Sequence, residues 1–261
     1  RVFYNQTGGA AINAVINSSG GSAGVNTATV TTVSQGNDAL RGFELLYGSG
    51  GADSITVDSA ATAIENLFVF GSGGNDTLVD NYRVSGVFAD YSSTNVTSGV
   101  SVNLTDGNAS DGLGGTDRLV GFTAINATAL ADTLIGSASN DRIRGQAGSD
   151  FIDGRGGSQD VLDYSQNNAT QGISVSLSGV TVELGGQTLT GGSANDGLGG
   201  TDTLISIEQV RGSAGADIII GDANNNNFRG NAGNDTLDGG DGTFDVADYS
   251  NASAAVTVDL G

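Results

Sequence analysis

From Gly212 to Ser250 the chain reads GSAGADIII, GDANNNNFR, GNAGNDTLD and then GGDGTFDVADYS, a nine-residue phrase repeated with small changes. An earlier block, from Gly136, has the same form: GSASNDRIR, GQAGSDFID, then GRGGSQDVLDYS. The Asp or Asn of the phrase falls at 132, 141, 150 and 160 in one block and at 217, 226, 235 and 245 in the other, so both advance by 9, 9 and 10. Single copies stand at Gly48 (GSGGADSIT), Gly71 (GSGGNDTLV), Gly112 (GLGGTDRLV) and Gly197 (GLGGTDTLI). Two residues beyond the Asp or Asn come Leu40, Ile55, Leu78, Leu119, Leu134, Ile143, Ile152, Leu162, Leu204, Ile219, Phe228, Leu237 and Ala247. One apolar side chain per nonapeptide therefore points inward. Gly, Asn and Asp supply the turns between, because they tolerate φ > 0 or hydrogen-bond local backbone.

A longer period encloses the short one. GNDALRGFELLYGSGGADSITV from Gly36, GTDRLVGFTAINATALADTLIG from Gly115 and GTDTLISIEQVRGSAGADIIIG from Gly200 align without gaps and start 79 and 85 residues apart. Asp-Tyr-Ser triplets follow in the same order at Asp90, Asp163 and Asp248. Each leads into an alternating stretch, Val100–Leu104, Ile173–Leu177 and Val256–Leu260, which reads as a half-buried strand. The chain divides into a Gly/Ser/Asn-rich β or loop segment at 1–37 and repeat units at 38–116, 117–201 and 202–261, the last with the start of a fourth. It begins without Met and stops in mid-pattern, as expected of a piece of something longer.

Composition narrows the chemistry. The 261 residues include 44 Gly and no Pro, Cys, Met, Trp or His. Only four of the 29 acidic residues are Glu, and all nine basic residues are Arg. Asp, Asn and Gly favour turns where Glu favours helix, so an all-β protein is expected. A net charge of −20 argues against nucleic acid and against an anionic membrane surface as partners. No apolar run of about 18 residues is present, so membrane insertion is not expected. Without Cys there is no disulfide framework, and an extracellular protein without one needs another staple, which a metal can supply.

The nonapeptide resembles the RTX, or haemolysin-type, calcium-binding repeat, G-G-x-G-x-D-x-U-x with U large and apolar. The resemblance runs from about Gly36 to the end and is clearest in 136–165 and 212–250. It implies a parallel β-roll, a solenoid in which each nonapeptide is a half-turn of six loop residues and a three-residue strand. It also implies a secreted bacterial protein, found on surface layers, adhesins or toxins.

Elementary physics points to the same ion. Three-residue strands must stack about 4.8 Å apart to be stable. A coil of two nonapeptides sets residues 18 apart above one another, pairing Asp132 with Asp150 and Asp217 with Asp235. With one inserted residue, Asp141 pairs with Asp160 and Asn226 with Asp245. Carboxylates at that spacing repel by roughly 3 kcal/mol at an effective dielectric near 20. Several Ca²⁺ ions, which take six to eight hard oxygens from carboxylates and carbonyls, would turn that repulsion into cohesion. The expected ligands are Asp53, Asp76, Asp117, Asp132, Asp141, Asp150, Asp160, Asp202, Asp217, Asn226, Asp235 and Asp245. Zinc and copper lack their softer ligands here. Asn226 should make a weaker site, and ATALAD before Asp132 lacks the usual Gly. Gln159 and Phe244 hold the strict ninth positions, so Asp160 and Asp245 require a bulge. Glu44 and Glu208, nine residues before Asp53 and Asp217, either complete sites there or lie solvated. The triplet aspartates either tie turns or touch metal.

Catalytic motifs do not assemble. Gly20-Gly21-Ser22-Ala23-Gly24 imitates a nucleophile elbow, but no His exists to complete a triad. A P-loop needs a Lys, and the EF-hand-like start at Asp222 has Asn227 where Gly and Gly233 where Glu is required. The carboxylates are periodic rather than a single glycosidase-like pair. The expected protein is therefore not an enzyme but a calcium-binding structural segment, extracellular or on a cell surface, that folds on calcium and partners copies of itself or neighbouring repeats. The alternative is the secretion and folding module of a larger secreted enzyme or toxin.

Overall fold

The computed structural model describes residues 2–3, 11–17, 27–32, 36–41, 44–58, 66–83, 86–93, 95–167, 172–184, 187–253, 255 and 257. Every regular element among them is a strand, and the strands form two sheets, of 10 and 15 members. No helix among the described residues is long and apolar enough to cross a membrane.

The smaller sheet is parallel throughout, and its register explains the apolar spacing. Leu46, Val69, Ala89, Ile125, Ile143, Leu162, Val210 and Phe228 lie one above another, each from the next strand. All of them are buried. In the larger sheet Ala14, Ile55, Leu78 and Leu119 stack likewise, as do Val102, Leu134, Ile152 and Leu204, and then Val175, Ile219 and Leu237. The side chains of the two sheets merge into a single thin apolar core. The β-roll expected from the nonapeptide is thus the architecture. Leu40 lies in strand Gly36–Arg41, but its side chain is outside the described residues, as is most of Val256–Leu260.

The roll is not parallel throughout, which the repeat alone does not reveal. Among the described residues three antiparallel meanders enter the larger sheet: Ile12–Asn17, Thr27–Thr32 and Gly36–Arg41; Ser101–Asn103, Asn108–Ser110 and Thr116–Val120; Ser174–Leu184, Gln187–Asn195 and Thr201–Ile205. Each of the last two meanders leaps ahead and folds back. Ser101–Asn103 pairs with the following coil at Thr133–Ile135, whereas Thr116–Val120 pairs with the preceding one at Thr77–Asp80. Meanwhile the parallel sheet advances by one strand, from Val87–Asp90 to Ala124–Asn126. Local chemistry makes the turns. Asp106 N–H donates to Asn103 Oδ1 ahead of Gly107 at φ 68°, and Gly112 and Gly114 sit at φ 72° and 106°. An L side chain is strained at such angles.

The outer face of the parallel sheet is closed by its own side chains. Arg144, 3% exposed, lies 4.4 Å from the Phe88 ring centroid and donates to Asp163 Oδ2 at 2.8 Å. Burial opposes the charge on Asp163, but the Arg142 and Arg144 guanidiniums outweigh it and hold that carboxyl well below the usual range.

Candidate metal centre

Most motif aspartates lie where a loop runs into a strand, and within each run of coils the backbone N–H of one reaches the carboxylate of the next. Asp53 N–H donates to Asp76 Oδ1 at 2.7 Å, and Asp76 N–H to Asp117 Oδ1 at 3.1 Å. Asp132 donates to Asp150 at 2.9 Å and Asp150 to Asp202 at 3.0 Å, while Asp217 donates to Asp235 at 3.0 Å. On the other edge Asp141 donates to Asp160 at 2.7 Å and Asn226 to Asp245 at 2.9 Å. All four stacked pairs read from the spacing are brought together, and both bulges occur: Gln159 and Phe244 are exposed beside the aspartates that hold the ladder. The stacked charges are not simply opposed, since a backbone donor lies between each pair.

Glu208 also belongs to this ladder, though not where its spacing suggested. Its Oε2 accepts Asp160 N–H at 3.0 Å, so it serves the loop of Asp160 and not that of Asp217. The meander between them carries the partner 48 residues along the chain. Glu44 has an exposed side chain.

The loops fall into two kinds. In one, a Ser or Thr four residues before the aspartate holds it with both hydroxyl and N–H: Ser49 on Asp53, Thr128 on Asp132, Ser137 on Asp141 and Ser213 on Asp217. Thr128 thereby does in the Gly-poor loop what Ser does elsewhere. In the other kind the corresponding residue is left-handed, Ser72 at φ 74°, Gln146 and Arg155 both at 67°. Their aspartates, Asp76, Asp150 and Asp160, each keep a buried Oδ2 with no hydrogen-bond partner. An orphaned buried carboxylate oxygen strongly favours a proton or a cation.

The leading glycine of a nonapeptide faces the motif carboxylate in both kinds of loop. A Cβ added at Gly136 would lie 2.6 Å from the Gly154 carbonyl oxygen and 2.7 Å from Asp141 Oδ2. At Gly212 it would lie 2.7 Å from the Gly230 carbonyl and run into Asp217 Oδ2. Carboxylate and carbonyl thus converge where only glycine leaves space, the donor set that Ca²⁺ takes. Among the described residues no three carboxylates form a ligating group by themselves. Backbone carbonyls must complete any cage, as these cradles allow.

Comparison with known families decides the type of site. The RTX calcium-binding nonapeptide repeat matches residues 126–158 and 211–243, in 4 copies. The match covers these two blocks and less than half of the chain. No curated protein matches the chain. The matched stretches contain Asp132, Asp141, Asp150, Asp217, Asn226 and Asp235, while Asp160, Asp202 and Asp245 lie outside them on the same ladders and Asp53, Asp76 and Asp117 form a ladder of their own.

The electrostatics of the ladders are those of buried anions without counter-ions. Burial is the main cause, opposed by the ladder N–H and reinforced by neighbouring carboxylates, in pushing Asp76 and Asp150 up to about 8. Asp160 is raised to about 7 in the same way, with Glu208 and Asp141 adding to the effect. Burial also raises Asp117, Asp141 and Asp202 to about 6. Asn226 is held by Asp222 N–H at its Oδ1, so it offers an ion little beyond a neutral oxygen already in use.

At the last two meanders a ladder ends on a tyrosine. Tyr91 Oη donates to Asp117 Oδ2 at 3.0 Å and Tyr164 Oη to Asp202 Oδ2 at 2.6 Å, and both tyrosines are fully buried. The triplet aspartates make turns, Asp90 and Asp163 each accepting the N–H of the serine two residues on. So the Asp-Tyr-Ser triplet shapes a corner and sends a phenol to the end of the ladder. Tyr164→Phe is expected to lower stability by about 1–3 kcal/mol, because Asp202 Oδ2 would lose its only donor in a buried place. Denaturant unfolding in saturating calcium measures it.

Two further aspartates were not visible from the nonapeptide. Asp111 and Asp196 are fully buried and lie in the meander turns, each six residues before a motif aspartate in the repeated string DGLGGTD. That duplicated string was the available signal.

Proposed function

We propose that this chain is a structural segment of a secreted bacterial surface protein, in a surface layer, adhesin or extracellular fibre, which hardens when it meets extracellular calcium and carries no catalytic activity. The observation that supports it most is the series of stacked carboxylates, buried from Asp53 to Asp217 and interrupted at the meanders. Such an arrangement is costly for a metal-free protein and useful to one that must fold only outside the cell, where calcium modules bind with dissociation constants of about 10⁻⁴ to 10⁻³ M. The absence of His, Cys and Lys from the sequence leaves few groups for acid–base or nucleophilic chemistry. Association with further repeats or further copies suits an architecture whose ends expose strand edges.

Calcium titration followed by calorimetry and light scattering tests this reading. Multiple ions, heat characteristic of coupled folding and a rise in scattering are expected. A protein that takes up calcium yet stays monomeric at every concentration would remove the lattice or fibre role and leave the secretion and folding module of a larger protein.

A further inference from the structure

The five orphaned carboxylate oxygens are not spread evenly over the ladders. They are Asp76, Asp111, Asp150, Asp160 and Asp196 Oδ2, and four of the five lie in two pairs at the joints where a meander meets the roll. Asp111 and Asp196 belong to no nonapeptide. Each spends Oδ1 on two backbone donors of its own turn: Leu113 and Gly115 N–H at 2.7 and 2.8 Å, and Leu198 and Gly200 N–H at 2.7 and 2.9 Å. Those bonds fix the carboxylate plane, so Oδ2 is aimed by the turn rather than by chance.

What it faces is a second acceptor. A Cβ added at Gly115 would lie 2.6 Å from Asp111 Oδ2 and run into the Gly74 carbonyl oxygen. At Gly200 it would lie 2.6 Å from Asp196 Oδ2 and run into the Gly148 carbonyl. Both glycines therefore border a spot shared by a carboxylate and a carbonyl, with no donor between. The neighbouring orphan is close in each case: the charge of Asp111 acts on Asp76, and that of Asp196 on Asp150. No arginine answers it, since the ion pairs among the described residues engage Asp153, Asp163 and Asp248. Two acceptors facing one another without a donor repel, and a hard divalent cation is the ligand that reverses the sign for both.

We infer that each joint is a calcium site in which a meander aspartate from outside the nonapeptides completes what a nonapeptide loop begins: Asp111 joins Asp76 and the Gly74 carbonyl in one, and Asp196 joins Asp150 and the Gly148 carbonyl in the other. Tyr91 and Tyr164 fix the adjacent Asp117 and Asp202 by hydrogen bonds, so those carboxylates stay in place beside the ion. The joint ion ties the inserted meander to the coil before it, at the place where the ladder is interrupted. It rests on the reading of the nonapeptides only through Asp76 and Asp150, and not on the role of the whole protein.

Asp111→Asn and Asp196→Asn test it in the full chain, singly and together. Asn keeps the Oδ1 acceptor for the turn and offers a neutral donor in place of the orphaned oxygen. Each substitution should remove one bound calcium, counted by calorimetry and by metal analysis after gel filtration. Each should also raise the melting temperature in EGTA while shrinking the further rise that calcium brings. If the double variant does not fold, the single variants carry the count. An unchanged ion count in both single variants would overturn the inference and leave Asp111 and Asp196 as turn formers. Asp235→Asn separates the two kinds of site. Loss of an ion there with none lost at the joints sinks the joint sites alone, and the reverse result upholds them without the nonapeptide cradles.

Discussion

In excess EGTA at about pH 8 the protein is expected to lose its β circular-dichroism signal and to regain it on adding millimolar calcium. Two effects compete in the metal-free roll. Each ladder N–H gives a carboxylate a charge-assisted hydrogen bond, worth about 1.5–3 kcal/mol. Against it stand desolvation and neighbours of like charge, and these win: Asp76 and Asp150 are pushed up to about 8 despite their ladder bonds. Little else can compensate. The core has one large side chain per nonapeptide, and most roll strands are three residues long, as in Thr133–Ile135 and Phe151–Asp153. An ion present at ten times its dissociation constant adds about 1.4 kcal/mol per site. A handful of sites then rivals the whole net stability of a domain, about 5–15 kcal/mol. A full β spectrum in EGTA, with the same melting temperature as in calcium, would defeat this account.

Much of the architecture could be read from spacing because the roll is a local code. A nonapeptide fixes its own loop and strand, and the next coil lies 18 or 19 residues on, so Asp132 over Asp150 and Asp141 over Asp160 follow from counting. The bulges at Gln159 and Phe244 follow too, since only Asp160 and Asp245 complete the ladder. Counting fails where the chain leaves the roll. Asp76 meets Asp117 after 41 residues and Asp150 meets Asp202 after 52, separations set by meander length and not by the period. Glu208, which its spacing places either at a site near Asp217 or in solvent, meets Asp160 across a meander that counting does not anticipate. The two loop kinds were hidden for another reason. Ser49 and Ser72 occupy the same motif position, yet Ser72 is left-handed and gives its hydroxyl to the Gly48 carbonyl, while Ser49 holds Asp53. The letters are identical and the backbone makes the difference. Residues 1–37, read only as β or loop, contain the strands Ile12–Asn17 and Thr27–Thr32.

Stability in EGTA and stability in calcium should respond to pH with opposite signs. The raised carboxyls are Asp76 and Asp150 at about 8, Asp160 at about 7 and Asp117, Asp141 and Asp202 at about 6, against an ordinary value of 3.8. Between 3.8 and those values the folded, metal-free chain binds more protons than the unfolded one. Its stability is therefore fullest below the ordinary value and is lost as pH rises through the folded values. Each group contributes a slope of about 1.4 kcal/mol per pH unit while its two states differ. Asp163 does not blur the trend, since Arg142 and Arg144 hold it low and its contribution is lost only in stronger acid. Calcium reverses the slope, because the ion needs the ionised carboxylates and protons compete with it. Melting temperatures taken from about pH 5 to about pH 8 should thus fall in EGTA and rise in saturating calcium, with the two curves diverging as pH rises. The low end offers a way to populate the roll without metal, by protonating the oxygens that an ion would otherwise occupy. Parallel curves would mean that these carboxyls exchange neither protons nor calcium on folding, and the ladders would then have to be held by something other than charge.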